Sequence, residues 1–241
     1  MKNGRFFCYA IALALVLGAA HTVRAAESAS VSGKVTFEGT PPKAKKIKVD
    51  ADPKCAEMHA DEPLVDESVV VNDNGTLRNV MVYVNSGLEG KTFEAPKEPA
   101  ELDQKGCHYV PRVFGIQAKQ PLKIVNSDDT LHNVHALPKN NPEFNTAQPN
   151  KGMEKTIRFG KPEVMVPFKC DVHPWMASYA AVLDHPFYSV TGTDGAFSIK
   201  GLPDGEYEIV AWHEKYGEKS QKVKVAAGEA KTIEFAFKAA E

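Results

Sequence analysis

The chain has 241 residues, 25% of them charged, and a formal net charge of −2. Because it is slightly acidic and does not interleave basic with aromatic residues, we expect no nucleic-acid partner. The length permits one large domain or two small ones with real cores.

The first 25 residues have the pattern of a secretory signal peptide. Lys2 and Arg5 precede an apolar run from Phe6 to Ala20, and the small residue Ala25 follows. This pattern predicts cleavage after Ala25 and a periplasmic or secreted mature protein. The alternative, a membrane span, needs about 20 apolar residues, and no later segment is long and apolar enough to cross a bilayer. We therefore expect no membrane span.

Three cysteines remain after such a cleavage, Cys55, Cys107 and Cys170. An odd number of thiols in an oxidising compartment leaves one thiol open to oxidation unless something occupies it. A disulfide between Cys55 and Cys107, with Cys170 bound to a metal, resolves the count. The alternative is a disulfide that includes Cys170 and leaves another thiol free.

Strand patterns dominate the mature chain, and helical periodicity is almost absent. Residues 31–37 alternate apolar with polar side chains, and residues 80–84 are continuously apolar, as in a strand buried on both faces. The polar stretch between them, through Asp66, is expected to be an irregular connection. Residues 91–99 are rich in Lys, Glu and Pro, which indicates a linker and a domain boundary.

Six strands are predicted in the next block, at residues 109–116, 122–125, 132–136, 156–159, 164–170 and 176–183. Short strands separated by turns are typical of a β-sandwich. Alternation places Val164, Phe168 and Cys170 on one face, so the sulfur is expected at the interior end of a core-lining strand. The same rule directs His132 and His135 to opposite faces, which makes His135 a poor co-ligand.

The last block begins at Tyr188 and contains Asp-Gly turns at residues 194–195 and 204–205, a strong hairpin signal. Five strands are predicted, at residues 188–191, 197–200, 207–213, 222–225 and 232–237. These strands make only part of a sandwich. Residues 28–98 are therefore expected to supply strands that complete it, with the middle block inserted. His213, at a strand end, is expected to be solvated.

A short segment, Cys170 to Met176, carries the clearest chemical signal. It places the thiolate of Cys170, the imidazole of His173 and the thioether of Met176 in one loop, and His132 stands upstream. Two His nitrogens and a Cys sulfur, with a weak axial Met sulfur, form the ligand set of an electron-transfer copper site. Zinc competes because Cys-x2-His occurs in zinc sites, although structural zinc normally uses further Cys or His and seldom Met.

These motifs resemble those of the cupredoxins, the plastocyanin and amicyanin group. The match covers roughly residues 99–185 and implies a Greek-key β-sandwich that holds one copper ion. Carried over by position, the equatorial ligands are His132, Cys170 and His173, and the axial ligand is Met176. Asn133 matches a residue that ties the two ligand-bearing segments together.

The whole arrangement resembles secreted cupredoxin-like proteins of the methylamine-utilisation type, and residues 187–241 resemble a carboxypeptidase-regulatory-like (transthyretin-like) domain. One departure concerns residues 109–113, where relatives often carry a His and this chain has Arg112. A second metal site that uses such a His is therefore not expected.

The sequence thus predicts an all-β periplasmic electron carrier rather than an enzyme. Copper oxidases and nitrite reductases need further His-rich sites, and this chain has Asp171 rather than His after the Cys. His173 is expected to reach the surface, where Pro174 and Trp175 would form an apolar docking patch for a redox partner. Trp175 could instead be a core aromatic residue. The alternative function is a non-redox secreted protein that binds copper, or a partner through its regulatory-like domain.

Overall fold

The computed structural model describes Met1 and residues 28–239, so the predicted signal peptide, apart from Met1, lies outside the described residues. In the described part of the chain nearly all regular structure is β-strand, with one six-residue helix. The predicted all-β class is confirmed. No helix in residues 28–239 has the length and apolar character that crossing a membrane requires.

The elements in chain order are β1 (Ala29–Glu38), α1 (Pro53–Met58), β2 (Met81–Ser86), β3 (Ala100–Gln104), β4 (Tyr109–Val110), β5 (Val113–Gln117), β6 (Leu122–Asn126), β7 (His132–Ala136), β8 (Phe144–Gln148), β9 (Glu154–Ile157), β10 (Glu163–Lys169), β11 (Ala177–Leu183), β12 (Tyr188–Val190), β13 (Ala196–Leu202), β14 (Gly205–His213), β15 (Gly217–Val225) and β16 (Ala230–Lys238).

One sandwich combines strands from both ends of the described chain. Its sheets have the strand orders β13-β1-β16 and β12-β2-β14-β15. Alternation along β1 buries Val31 and Val35 between the two sheets. β1 runs parallel to β16, and at Gly33 a Cβ would lie only 1.6 Å from the carbonyl oxygen of Ile233. Only glycine allows the two strands to approach so closely there.

The other sandwich is built from β3 to β11. Its sheets have the orders β5-β11-β10-β7-β8 and β4-β3-β6-β9, and its core includes Leu102, Ile124 and Phe168. The prediction of a single strand over residues 109–116 is wrong. This segment forms two strands, β4 and β5, which belong to opposite sheets. Pro111 separates them, and proline has no N–H with which to continue a ladder. β3 and β8 were not predicted.

The strand that leads to Cys170 contains a bulge. The register of β10 shifts between Glu163 and Val166, and Met165 has a φ of +61°. As a result Val164 is 38% exposed, so the expectation that it faces the interior is wrong. Beyond the bulge the alternation holds, because Phe168 and Cys170 are both buried.

A third cluster of buried side chains joins the two sandwiches. It brings Met81 and Val210 of one sandwich against Val113 and Ala181 of the other. The sheet that contains β2 and β14 therefore packs on the sheet that contains β5 and β11. The burial of these apolar side chains holds the two sandwiches together.

The connection between β1 and β2 contains the helix α1, so the expectation that this connection is irregular is wrong in part. Asp52 is the N-cap of α1 and accepts hydrogen bonds from the backbone N–H groups of Lys54 and Cys55, and Pro53 is the first helical residue. Both residue types are favoured at these positions. The helix lies over one end of the β3–β11 sandwich, where Cys55 forms a disulfide with Cys107.

His213 is buried, so the expectation that it is solvated is wrong. Its side chain is 1% exposed and stacks on Tyr216, with ring centroids 4.9 Å apart, and it also packs near Phe237. Burial lowers the pKa of His213 to about 4, and the positive charge of Arg112 contributes in the same direction. The imidazole is therefore neutral at neutral pH.

Candidate metal centre

Three potential ligands meet at one end of the β3–β11 sandwich. His132 opens β7, Cys170 directly follows β10, and His173 lies in the loop before β11. All three side chains are buried, and their ligand atoms lie within 4.8 Å of one another. The strand pairing of β7 with β10 brings the distant parts of the sequence together.

The distances suit a single small cation. The two Nδ1 atoms of His132 and His173 are 2.9 Å apart, and the sulfur of Cys170 lies 3.8 Å from His173 Nδ1. With metal–nitrogen bonds of about 2.0 Å and metal–sulfur bonds of about 2.3 Å, ligand atoms of one ion are separated by at most about 4.0 Å (N–N) or 4.3 Å (N–S). The observed separations fall within both limits, so this donor set fits a metal ion.

The loop is folded around the Cys170 sulfur. The backbone N–H of His173 donates to that sulfur at 3.3 Å, and the N–H of Met176 donates to the carbonyl oxygen of His173 at 2.9 Å. Met176 is 1% exposed and belongs to the same core cluster as Cys170. These contacts hold the loop in place, which would limit its rearrangement when an ion binds.

Asn133 lies between the two ligand-bearing segments. Its Oδ1 accepts hydrogen bonds from the backbone N–H of Asp171 at 2.7 Å and from the Cys170 thiol at 3.3 Å. Its Nδ2 donates to Asn145 Oδ1 at 2.7 Å. The side chain thus connects β7 and β8 to the loop that carries Cys170.

His135 lies outside this cluster. Its Nε2 is 2.6 Å from Glu143 Oε1, and its Nδ1 is 3.0 Å from Asp171 Oδ2. Both ring nitrogens therefore face carboxylates at the partly exposed side of β7, while His132 faces the interior. This is the arrangement that strand alternation dictates.

His173 is buried, so the expectation that it reaches the surface is wrong. Its side chain is 2% exposed, with Asp52 Oδ2 3.0 Å and Cys55 Sγ 3.7 Å from its Nε2. The ring of Trp175 covers another side, with centroids 5.0 Å apart. The helix α1 and the disulfide thus close the end of the sandwich over this imidazole.

Trp175 has features of both a core aromatic residue and a surface residue. Its indole N–H donates to the carbonyl oxygen of Cys107 at 2.9 Å, and the ring packs against the core, yet the residue is only half-buried. Its neighbour Pro174 is exposed, and Val172 on the same loop is 44% exposed. The surface nearest to the candidate ligands is therefore made by this loop.

Two aspartates that contact the candidate ligands were not identified from the sequence. Asp128 Oδ2 lies 3.0 Å from His132 Nε2, and Asp52 Oδ2 lies 3.0 Å from His173 Nε2. Asp128 is one of two adjacent acids in its loop, beside Asp129, so no local signal distinguishes it. The Asp52-Pro53 pair did carry a helix-start signal, although nothing in it indicated contact with His173.

The contacts within the cluster lower the pKa of the Cys170 thiol and raise the pKa of both imidazoles. Burial would raise the pKa of Cys170, but hydrogen bonds with His132 and His173 lower it to about 6. Burial would lower the pKa of His132, but Asp128 and Cys170 raise it to about 9. Burial would likewise lower the pKa of His173, but its contacts with Cys170 and Asp52 raise it. Because a metal needs neutral imidazoles, its binding would release protons from this site.

Comparison with known proteins finds partial structural likenesses only. No protein-family model matches the chain, and no curated protein matches it. A copper-containing nitrite reductase from Thermus scotoductus superposes with a TM-score of 0.34 and 23% identity over 40% of this chain. The likeness spans 24% of the length of that reductase, about a quarter of it.

Two smaller proteins are matched over almost their whole length. A purple cupredoxin from Nitrosopumilus maritimus gives a TM-score of 0.30 and 20% identity, covering 34% of this chain and 98% of the cupredoxin. A mutant of amicyanin in its Cu(I) form gives a TM-score of 0.32 and 17% identity, covering 42% of this chain and 97% of amicyanin.

Proposed function

We propose that the protein binds one copper ion through His132, Cys170, His173 and Met176 and carries single electrons in the periplasm or outside the cell. The observation that carries the proposal is the convergence of two imidazoles and one thiol, all buried, whose ligand atoms lie within 4.8 Å of one another. A thiolate together with a thioether favours a soft ion over Mg²⁺, Ca²⁺ or Mn²⁺. Bound copper would supply one-electron chemistry by alternating between Cu(II) and Cu(I).

The protein holds the ligand atoms rigidly and largely excludes water from them. Cys170 and His132 are 1% and 0% exposed, so water has little access to the ligand atoms. Asn133 and the backbone N–H of His173 hold the sulfur in place. A ligand set that does not move between oxidation states lowers the reorganisation that electron transfer requires, which supports a carrier rather than a catalyst.

We assign the metal-binding module to residues 99–185 and a second, carboxypeptidase-regulatory-like module to residues 187–241 with strands from residues 28–98. The pairing of β1 and β2 with the C-terminal strands supports this division. Secretion is supported by the disulfide of Cys55 with Cys107, a bond typical of oxidising compartments. A redox partner protein would dock at Pro174 and Trp175, the exposed and half-exposed residues next to His173.

A second candidate function is a copper-binding protein without a redox role. The burial of His173 beneath α1 favours it, because no imidazole edge is open to a partner. The test is to add Cu(II) to the purified mature protein and record the visible and EPR spectra. Intense thiolate-to-copper charge transfer that Cys170→Ser abolishes and His135→Ala retains supports the electron carrier. A colourless complex with one copper per chain rejects it and favours the second candidate.

A further inference from the structure

The two imidazoles of the candidate site share one unusual arrangement. Each directs its Nδ1 towards the thiol sulfur and the other ring, and each places its Nε2 3.0 Å from a carboxylate oxygen. The partner of His132 is Asp128, and the partner of His173 is Asp52. The Asp128 side chain is buried, at 5% exposed, and the Asp52 side chain is partly buried, at 18% exposed.

We propose that Asp52 and Asp128 are positioning residues that orient the two imidazoles and stabilise the oxidised form of the bound copper; this inference rests on the proposed function. A carboxylate that accepts the far N–H of a ligating His fixes the ring and makes the coordinating nitrogen a stronger donor. Two negative charges close to the site, one of them buried, also favour the more highly charged ion, Cu(II), over Cu(I).

Asp52 is held in position by contacts other than that with His173. Its Oδ1 accepts the N–H groups of Lys54 and Cys55 at 2.7 and 3.2 Å, as the N-cap of α1. Its Oδ2 accepts the hydroxyl of Thr130 at 2.9 Å in addition to the His173 ring. One oxygen thus anchors the side chain, and the other is directed at the imidazole.

Asp128 is anchored in a similar way. Its Oδ1 accepts the N–H of Gly106 and its Oδ2 accepts the N–H of Cys107, both at 2.8 Å. Cys107 is joined to Cys55, whose own N–H bonds to Asp52. The disulfide therefore connects the two backbone segments that hold the carboxylates. It follows that part of the metal centre comes from the connection between β1 and β2, outside residues 99–185.

The experiment measures Cu(II) and Cu(I) affinities and the reduction potential of the full mature chain carrying Asp52→Asn or Asp128→Asn. Asn is as good an N-cap as Asp, so Asp52→Asn removes the charge while α1 is retained. Matched controls are Asp50→Asn and Asp129→Asn, each of which removes one exposed charge beside the same positions.

We expect each test substitution to weaken Cu(II) binding by about 10- to 100-fold. Cu(I) binding should weaken less, so the potential rises by about 59 mV for each tenfold difference between the two losses. Both controls should match the wild type. The circular dichroism spectrum verifies that the fold is retained, which matters most for Asp128→Asn because two backbone N–H groups bond to that side chain.

Two results overturn the inference while the proposed function stands. One is unchanged affinity and potential in both variants of a protein that binds copper and shows the charge-transfer band. The other is an equal loss of Cu(II) and Cu(I) affinity with an unchanged potential, which marks a purely structural role. A wild-type protein that binds no copper rejects the proposed function and the inference together.

Discussion

Arg112 and Glu214 form a bidentate ion pair between the two sandwiches. Arg112 Nε lies 2.5 Å from Glu214 Oε1, and Arg112 Nη2 lies 2.9 Å from Glu214 Oε2. Arg112 directly precedes β5 and Glu214 directly follows β14, so the pair lies beside the buried cluster that joins the two sandwiches. The side chains are only 12% and 5% exposed, so water has little access to either charge.

Removal of one charge from this pair should be costly. We expect Glu214→Gln to lower the free energy of unfolding by about 3–5 kcal/mol, because it leaves the largely buried Arg112 guanidinium without its bidentate partner and with only the Asp66 carboxylate as a counter-charge. Urea unfolding of the metal-free protein measures the change. The matched control is Glu206→Gln, which breaks an exposed pair with Lys224 whose side chains are 75% and 79% exposed. That control should change stability by less than about 1 kcal/mol, and equal effects of the two substitutions would contradict the prediction.

The disulfide between Cys55 and Cys107 should stabilise the fold and keep His173 covered. It closes a loop of 52 residues, for which chain entropy gives about 4 kcal/mol. We expect the double substitution Cys55→Ala with Cys107→Ala to lower the free energy of unfolding by about that amount. Loosening of α1 should also make His173 more accessible to an imidazole-modifying reagent, detected by peptide mass spectrometry.

The control for this experiment is Met153→Leu, at an exposed residue away from His173, which leaves both the disulfide and Cys170 intact. In that variant the modification rate of His173 should stay close to the wild-type rate. If His173 reacts equally slowly with and without the disulfide, other contacts cover it and the prediction is wrong.

Local patterns in the sequence predict most of the strands and indicate the candidate ligands. Alternation along residues 31–37 and the Asp-Gly turns near residues 195 and 205 need only neighbouring side chains to be interpreted, and β1, β13 and β14 are all present. The loop from Cys170 to Met176 is equally local, since its spacing alone brings a thiol, an imidazole and a thioether together.

The closure over His173 could not be predicted in this way. The contact between Asp52 and His173 spans 121 residues, and it depends on how the connection between β1 and β2 packs on the other sandwich. The hydrophobic periodicity of a sequence reflects local structure and does not predict such long-range packing. The Asp52-Pro53 pair does have the composition of a helix start, so α1 was recoverable from the sequence, whereas the surface that it covers was not.

The burial of His213 should make stability depend on pH. Its pKa is lowered to about 4 by burial, whereas an unfolded His titrates near 6.5. Between those values the unfolded chain binds a proton that the folded chain does not, so stability is full above pH 6.5 and falls as the pH decreases. The expected loss from this residue is about 1.4 kcal/mol per pH unit, or about 3 kcal/mol by pH 4.

The comparison that isolates this residue is His213→Gln, whose side chain still offers an acceptor to the N–H of Lys215. Urea unfolding at several pH values between 7 and 4 gives the difference in stability between the two proteins. We expect the wild type to lose stability relative to the variant as the pH falls. Parallel pH profiles for the two proteins would contradict the prediction.

Met176→Leu should keep copper in the site and raise its reduction potential. The substitution conserves volume in a core position that is 1% exposed, so the fold should lose less than about 1.5 kcal/mol. Loss of the weak thioether donor removes electron density that favours Cu(II). Voltammetry measures the potential, and Met153→Leu, at a residue 37% exposed and outside the cluster, is the control. A potential equal to that of the control would show that Met176 is not a ligand.

The opposite orientations of His132 and His135 along β7 give the most direct test of the ligand assignment. His132 is fully buried beside Cys170 and Asp128, while His135 bonds to Glu143 and Asp171 at the partly exposed side. We expect His132→Ala to abolish the charge-transfer band and to lower Cu(II) affinity by more than about 100-fold, since an inner ligand matters more than the residues behind it. His135→Ala should leave the band and the affinity unchanged. If His135→Ala removed the band instead, β7 would present the other face to the metal, and the assignment of His132 would be wrong.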